Sequence, residues 1–183
     1  MSKWLEVGIC GLSCRLCPMF HSVGESKCRG CKSQTRITVG CPFITCAVKK
    51  KGIDFCWQCK ENVTCEKWKR HREASIHGDS FVCYQKLEDN IQYILENSVE
   101  VFEEEQIIRE NMLKEMLKEF NEGRSKTFYC IASTVLEPEE LRNALHQAQK
   151  QSVGLDLRDK SKILHRILNT IAENKNYCLK LRK

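Results

Sequence analysis

The sequence predicts a mainly α-helical protein, in which a small irregular module over residues 1–80 precedes a helical region of about four helices over residues 81–183. Ten of the thirteen cysteines fall between Cys10 and Cys65, together with most of the glycines. From Phe81 onward the composition shifts to helix formers, with apolar residues recurring every three or four positions. These two patterns change at the same point, so we expect two domains that meet near residue 80.

The first part of the chain has few helix-period runs, and we expect it to consist of loops and short turns. Two of the three prolines and seven of the nine glycines lie here. Such a segment is too irregular to fold by apolar burial alone, so another source of folding energy is expected.

The helical region begins with two amphipathic segments. The first has one apolar face formed by Tyr84, Leu87, Ile91, Ile94 and Leu95. The second is predicted over about 99–121, with Gly123 placed as its C-terminal cap. Its apolar stripe consists of Val101, Ile108, Met112, Met116 and Phe120, broadened by Ile107, Leu113 and Leu117.

The rest of the chain contains one ambiguous run and two further helices. Residues 126–136 are apolar, and periodicity alone does not assign them to a strand or a helix. Pro138, followed by two acids, predicts a helix start, and that helix should reach about residue 151 before Gly154. A last helix over about 159–174 should bury Ile163, Leu164, Ile167, Leu168 and Ile171. The alternating tail, Tyr177, Leu179 and Leu181, suggests a short strand.

The cysteine spacing predicts a metal-clamped, zinc ribbon-like module. Three CxxC pairs let two thiolates reach one ion from a tight turn, and an odd number of cysteines argues against a disulfide framework. The first site is expected at Cys14, Cys17, Cys28 and Cys31. The second is expected at Cys56, Cys59 and Cys65 with Cys41 or Cys46, and Cys10 is a further ligand or neighbouring donor. Interleaved pairing is equally allowed. We expect two zinc ions, and an iron–sulfur cluster is the alternative.

Two other metal motifs fit less well. Cys10, Cys14 and Cys17 have the CxxxCxxC spacing of radical-SAM enzymes, but the chain lacks the length and the strand–helix alternation of a β/α barrel. Cys56 and Cys59 with His71 and His77 nearly match a two-Cys two-His finger, but that assignment would leave Cys65 unused.

Charge and hydropathy restrict the function classes. Residues 1–80 carry 14 Lys and Arg against 7 Asp and Glu, so the basic charge lies beside the cysteines. This basic face predicts either a solvated surface or a contact with a protein or nucleic-acid partner. No run approaches the ~20 apolar residues of a membrane-spanning helix. The N-terminus also lacks the apolar core of a signal peptide, so we expect a cytoplasmic protein without a membrane partner.

Common catalytic signatures are absent, which favours a non-catalytic metal-binding interaction module. A surplus thiol, with Cys10 as the first candidate, would instead indicate a thiol-dependent enzyme. Cys83, Cys130 and Cys178 are expected in the core. His21, His71 and His77 lie on polar segments and are expected to face solvent.

The cysteine-rich segment also resembles a known family. The motifs Cys10-Gly-Leu-Ser-Cys14, Cys28-Arg-Gly-Cys31, Cys41-Pro-Phe-Ile-Thr-Cys46-Ala, Cys56-Trp-Gln-Cys59 and Cys65-Glu-Lys are similar to those of a bacterial and archaeal cysteine-rich domain of unknown function. The resemblance covers about residues 8–70 and all ten cysteines. Val63-Thr-Cys65 departs from it, since an aromatic-Pro-Cys ending is usual there. The resemblance implies zinc binding without an established activity, and the helical region resembles the extension of longer members.

Overall fold

The computed structural model describes residues 3–25, 27–39 and 41–183, and it confirms a mainly α fold. Across these residues there are eight α-helices and no β-strand, apart from an isolated bridge between Val7 and Ser13. The α-helices are α1 Gln34–Val39, α2 Pro42–Ile44, α3 Glu66–His77, α4 Leu87–Asn97, α5 Val99–Glu119, α6 Lys126–Val135, α7 Pro138–Gln151 and α8 Leu157–Asn174. Two 3-10 turns, Cys14–Leu16 and Cys56–Gln58, and a π-helical segment, Thr45–Lys50, complete the elements.

The cysteine-rich part contains more helix than the sequence predicts. Helix α3 has twelve residues, although its weak apolar periodicity rests on one buried tryptophan, Trp68. Helix α2 begins with Pro42 at its first position and continues directly into the π-helical segment. The expectation of loops and turns alone is therefore wrong, because tertiary packing of a few large side chains supports these short helices.

The helical region buries one continuous core. It is formed by the inner faces of α5 to α8, and Leu16 from the cysteine-rich part joins it. Its fully buried members include Leu113, Met116, Leu141, Leu164 and Leu168. Helices α7 and α8 pack against each other as an antiparallel pair joined by a short loop, in which Gly154 has a φ of 77°.

Helix α6 settles the ambiguous apolar run as a buried helix. Tyr129 is completely buried, and its hydroxyl donates a hydrogen bond of 2.9 Å to the carbonyl of Phe120 at the end of α5. The predicted start of α7 is confirmed, because Pro138 occupies the first turn and the Glu140 carboxylate accepts from the Glu137 amide at 2.9 Å.

The predicted apolar stripe of α5 is wrong in its first half. Val101, Ile107 and Ile108 are 40–46% exposed, whereas the buried residues of this half are Phe102, Gln106, Arg109 and Glu110. Leu95 of α4 is exposed as well, at 63%. The reason is tertiary, since Arg15 of the cysteine-rich part pairs with Glu110, while Arg109 bonds to Glu137 and to the carbonyl of Ser133. Periodicity of apolar residues does not report a face that is buried in this way.

The C-terminal tail packs onto the core without forming the suggested strand. Tyr177 and Leu181 contact the core, and Leu179 is buried within it. Its peptide groups bond to side chains: the Gln85 amide exchanges two hydrogen bonds with the backbone of Cys178, and Asp79 accepts from the Arg182 amide at 2.8 Å. Because these side chains satisfy the tail's backbone, it needs no neighbouring strand.

The cysteine-rich part is fixed to α5 by Arg15 in the first 3-10 turn. Its guanidinium donates to Glu110 at 3.0 Å and to Glu103 at 3.2 Å. Nearby, the Asn90 side chain of α4 donates to the carbonyl of Gly11 at 3.1 Å. The two parts are thus in intimate contact, and their division into domains near residue 80 stays a prediction.

Within the described residues, none of the helices combines the length and the apolar character that crossing a membrane requires.

Candidate metal centre

All ten cysteines of the first part are free thiols in the structure, as are the three cysteines of the helical region. Cys14 is buried and the other nine of the module are half-buried. They fall into two neighbourhoods. In the first, burial raises the pKa of Cys17, Cys28 and Cys31 lie close enough for their charges to raise it further, and Cys14 contacts Cys31. In the second, the pKa of Cys56 is raised by burial and by the charges of four neighbouring cysteines, Cys10, Cys46, Cys59 and Cys65.

Two of the CxxC pairs are built as single 3-10 turns. The amide of Cys17 bonds to the carbonyl of Cys14 at 3.0 Å, and the amide of Cys59 bonds to that of Cys56 at 3.2 Å. Such a turn places its two cysteines on one side of the backbone. The amide of Cys56 also bonds to the carbonyl of Ile9 at 3.2 Å, which brings the third CxxC pair beside Cys10.

Backbone amides are aimed at several of the sulfur atoms. The amide of Cys31 donates to Cys14 Sγ at 3.2 Å. The thiol of Cys10 accepts from the Leu12 amide, that of Cys17 from Met19 and Phe20, and that of Cys59 from Glu61. Amide dipoles directed at sulfur favour the thiolate over the thiol, and thiolates are the form that binds metals. These amides therefore favour the ionised form of the cysteines.

Two glycines permit this arrangement. Gly30, inside the second CxxC pair, has a φ of 102°, and a Cβ there would lie 2.5 Å from the carbonyl oxygen of Leu5. Gly11 has a φ of 86°, and its Cβ would lie 2.9 Å from the Ile91 side chain of α4. Only glycine tolerates both the left-handed backbone and these close approaches.

Burial and the contact between Cys14 and Cys31 give these thiols different pKa values. Burial raises the pKa of Cys10 to about 12, and it does the same for Cys56. The hydrogen bond between the side chains of Cys14 and Cys31 raises the pKa of Cys14 and lowers that of Cys31 to about 7. Without metal, Cys31 thus ionises more readily than Cys14.

A buried lysine, Lys32, stands beside the first neighbourhood. Its side chain is fully buried, and Nζ lies 3.8 Å from the centroid of the Phe55 ring and 3.7 Å from Asp54 Oδ1. Nζ makes no hydrogen bond within the described chain. Burial lowers the pKa of Lys32 to about 8, and the charges of Asp54, Cys14 and Cys31 oppose that shift. The cysteine spacing predicts no role for Lys32, whereas its burial beside Cys14 and Cys31 makes it a counter-charge for thiolates.

Lys51 supplies a second cation, close to Cys59. Its Nζ lies 3.1 Å from Cys59 Sγ and 2.8 Å from Glu61 Oε2. The ammonium donates to the sulfur and thereby lowers the pKa of Cys59. The basic residues of this part are thus not all free surface charges.

Over residues 3–25, 27–39 and 41–183, no group of three or more His, Cys, Asp and Glu side chains is arranged so that it could hold a metal ion. The donors themselves fit a soft or borderline metal, because they are grouped thiols with amides and ammonium groups directed at sulfur. Ligation would require the thiols to converge further than they do here.

Several of these thiols line one side of a large cavity, of about 730 Å³, between the cysteine-rich part and helices α4, α5 and α6. Cys10, Cys14, Cys17, Cys28, Cys31 and Cys41 are on its wall. Cys83 and Cys130 also line it, and both are buried as expected, whereas Cys178 is exposed and does not belong to the core. Sequence reasoning did not find this cavity, since its walls come from segments far apart in the chain.

His71 is another residue that the sequence analysis placed wrongly. Its half-buried ring packs against Phe43, Trp68 and Tyr84, with centroid distances of 4.8, 5.8 and 5.3 Å. Its Nε2 atom is buried without a hydrogen bond in the described chain, and burial lowers the pKa of the ring. His77, by contrast, is exposed as expected.

Comparison with known proteins identifies a family over the cysteine-rich part. Residues 6–70 match the model of a family described as "Protein of unknown function (DUF3795)". No curated protein and no solved structure gives a significant match to the chain. The match contains all ten cysteines of the module, and it confirms the resemblance to a family of unknown function over these residues.

Proposed function

We propose that the cysteine-rich part is a thiolate metal-binding module, that zinc is its metal, and that the metal holds the module in the shape that packs on α5. The observation that carries the proposal is the set of backbone amides directed at the thiols of Cys10, Cys14, Cys17 and Cys59. A neutral thiol gains little from such amides, whereas a metal-bound thiolate gains substantially.

The two thiol neighbourhoods support two ions. Cys14, Cys17, Cys28 and Cys31 would hold the first. Cys56, Cys59 and Cys65 with Cys46 would hold the second; Cys41 is the other candidate for that fourth position, and Cys10 lies between the groups. When bound, zinc supplies folding energy to a segment with little apolar core of its own.

The test is elemental analysis and a visible spectrum on protein purified without oxygen. We expect about two zinc per chain and no colour. Cys14→Ser should lose about one ion per chain, and Cys178→Ser is the matched control that should retain both, because Cys178 is exposed and outside the module. Full metal content in Cys14→Ser, or a wild-type protein without metal, would contradict the proposal. If iron and sulfide are found instead, the bound group is an iron–sulfur cluster and not zinc.

Removal of the metal provides an independent test. Chelation should unfold residues in the cysteine-rich part, because structural metal binding and folding are one equilibrium. The measurement is protease resistance together with circular dichroism after verified metal loss, and unchanged values for both would count against a structural role.

A second candidate function, a thiol-dependent one, is favoured by the contact between Lys51 and Cys59. An ammonium group at 3.1 Å stabilises the thiolate and increases its reactivity toward electrophiles. Alkylation with iodoacetamide at neutral pH distinguishes the two functions. A ligand thiol should react only after chelation, whereas a reactive thiol should be modified in the metal-loaded protein without metal loss.

The partner of such a module is proposed from its surface charge. Lys67, Lys69 and Arg70 of α3 are exposed, as are Lys49 and Lys50 of the π-helical segment. This basic face supports a contact with an acidic protein surface or a nucleic acid. Binding of a DNA or RNA oligonucleotide should weaken steeply as salt increases if phosphates are neutralised. Absence of binding at low salt would leave the protein partner.

A further inference from the structure

The cavity between the two parts has three regular helical walls on the side away from the thiols. Helix α5 contributes Phe102, Glu105, Gln106 and Arg109, and α6 contributes Thr127, Cys130, Ile131 and Thr134. The start of α4 and the residue before it contribute a set with the same spacing, namely Lys86, Asp89, Asn90 and Tyr93. Each set follows the spacing i, i+3, i+4, i+7, so one side of each helix borders the cavity. Protein interiors seldom leave such faces unpacked unless something occupies the space.

Gln106 is the observation that points to a ligand. The residue is 5% exposed and lines the cavity. Nevertheless, its side-chain amide makes no hydrogen bond with any part of the chain that the structure describes. The amide therefore faces the open space of the cavity, where it offers one acceptor and two donor hydrogens. A molecule in the cavity would be the partner of this amide.

The charges beside Gln106 favour an uncharged group at this end of the cavity. The donors of Arg109 are already used by Glu105, Glu137 and the carbonyls of Ser133 and Leu136, so they are not available to an anion. The carboxylates of Glu105 and Glu137 lie beside the Arg109 guanidinium, so the electrostatic potential at this end of the cavity disfavours a further negative charge. A neutral group that offers a donor and an acceptor side by side matches the Gln106 amide.

The remaining lining describes the body of the molecule. Aromatic rings occur on both sides of the cavity: Phe20, Phe43, Phe81, Tyr84, Tyr93 and Phe102. Such rings pack favourably against a flat aromatic system. The volume of about 730 Å³ is within the range of about 300–1,000 Å³ for small-molecule sites.

We propose that this cavity binds a planar, uncharged aromatic molecule with an amide-like edge, and that the side chain of Gln106 is its hydrogen-bond partner. The site extends beyond the thiols, because residues of α4, α5 and α6 form its opposite wall. The thiol side of the cavity places the molecule next to the metal centre, which makes it a candidate substrate or effector of that centre.

Benzamide is the probe, and two-dimensional amide NMR titration of the full-length, metal-loaded protein is the measurement. We expect saturable binding with a dissociation constant of about 1 mM or tighter, which is reasonable for so small a ligand. Benzoate should bind more weakly because of its charge, and ethylbenzene should bind without using Gln106. No saturable shift with benzamide, or tighter binding of benzoate, would overturn the proposal.

The decisive variant is Gln106→Leu. Because Gln106 forms no hydrogen bond within the described residues, this change should not lower the melting temperature, yet it should weaken benzamide binding about tenfold. Ethylbenzene binding should be unchanged or tighter. Equal affinity of the variant and the wild type for benzamide would refute the role of Gln106.

Two further variants complete the test. Gln147→Leu is the matched control, since Gln147 is an exposed glutamine of α7 and should leave both affinities unchanged. Gln106→Met repeats the change if the leucine variant does not fold, and it should give the same loss for benzamide. Metal content is measured on the same samples, so loss of ligand binding with full metal content is distinguished from failure of the metal centre.

Discussion

Replacing Arg15 should loosen the cysteine-rich part from α5, and the structure allows the cost to be worked out. Its side chain is 20% exposed and donates to Glu110, which is 6% exposed, and to Glu103, which is 18% exposed. Exposed ion pairs contribute about 0–1 kcal/mol, whereas breaking a fully buried pair costs about 3–5 kcal/mol. Glu110 would retain Lys114 at 2.8 Å as a partner. An intermediate cost of about 2 kcal/mol follows for Arg15→Met.

The measurement is denaturant and thermal unfolding of the protein as purified. For a chain of this size, about 2 kcal/mol corresponds to a decrease of about 4–8 °C in melting temperature. Arg142→Met is the matched control, because Arg142 pairs with the exposed Glu139 and its replacement should cost less than about 0.5 kcal/mol. A double-mutant cycle with Glu110→Gln should give a coupling energy of about 1 kcal/mol.

The reasoning would be refuted by an Arg15→Met protein as stable as the Arg142→Met control. It would also be refuted by additive effects of Arg15→Met and Glu110→Gln. Metal content has to be measured in each variant, because Arg15 adjoins Cys14 and a loss of metal would produce a larger decrease for a different reason.

Two further perturbations test other parts of the fold. Gly30→Ala should destabilise the protein by more than about 2 kcal/mol, since alanine disfavours a φ of 102° and its Cβ would lie 2.5 Å from a backbone oxygen; an unchanged melting temperature would contradict this. The second concerns His165, whose pKa is lowered below the usual 6.5 by burial, so that the unfolded chain takes up the proton first as the pH decreases. The free energy of unfolding should therefore decrease as the pH is lowered below 6.5. His165→Phe, which preserves the stacking on Phe128 at 3.8 Å, should make that decrease shallower, with the rest due to His21 and His71. Equal pH slopes from urea titrations of variant and wild type would show that His165 does not contribute.

The sequence predicted the helices of the second part well wherever local signals agree. Pro138 and the acids after it predict the start of α7, and the final helix matches α8 to within two residues at its start. The run over 126–136 stayed ambiguous because a buried helix and a buried strand have the same apolar composition. The tertiary contacts of this run decide that it is a helix, since it packs against α5 and α8.

The cysteine spacing by itself determined that the first part is organised around thiols in tight turns, because two cysteines three positions apart share one side of a short turn. Only the tertiary structure decided which groups surround those thiols. Lys32 approaches Cys14 and Cys31 only because its side chain is buried against Phe55. Likewise, Gln106 reads as an ordinary polar residue of an amphipathic helix. Its burial beside the cavity depends on contacts between residues distant along the chain, which no local periodicity records.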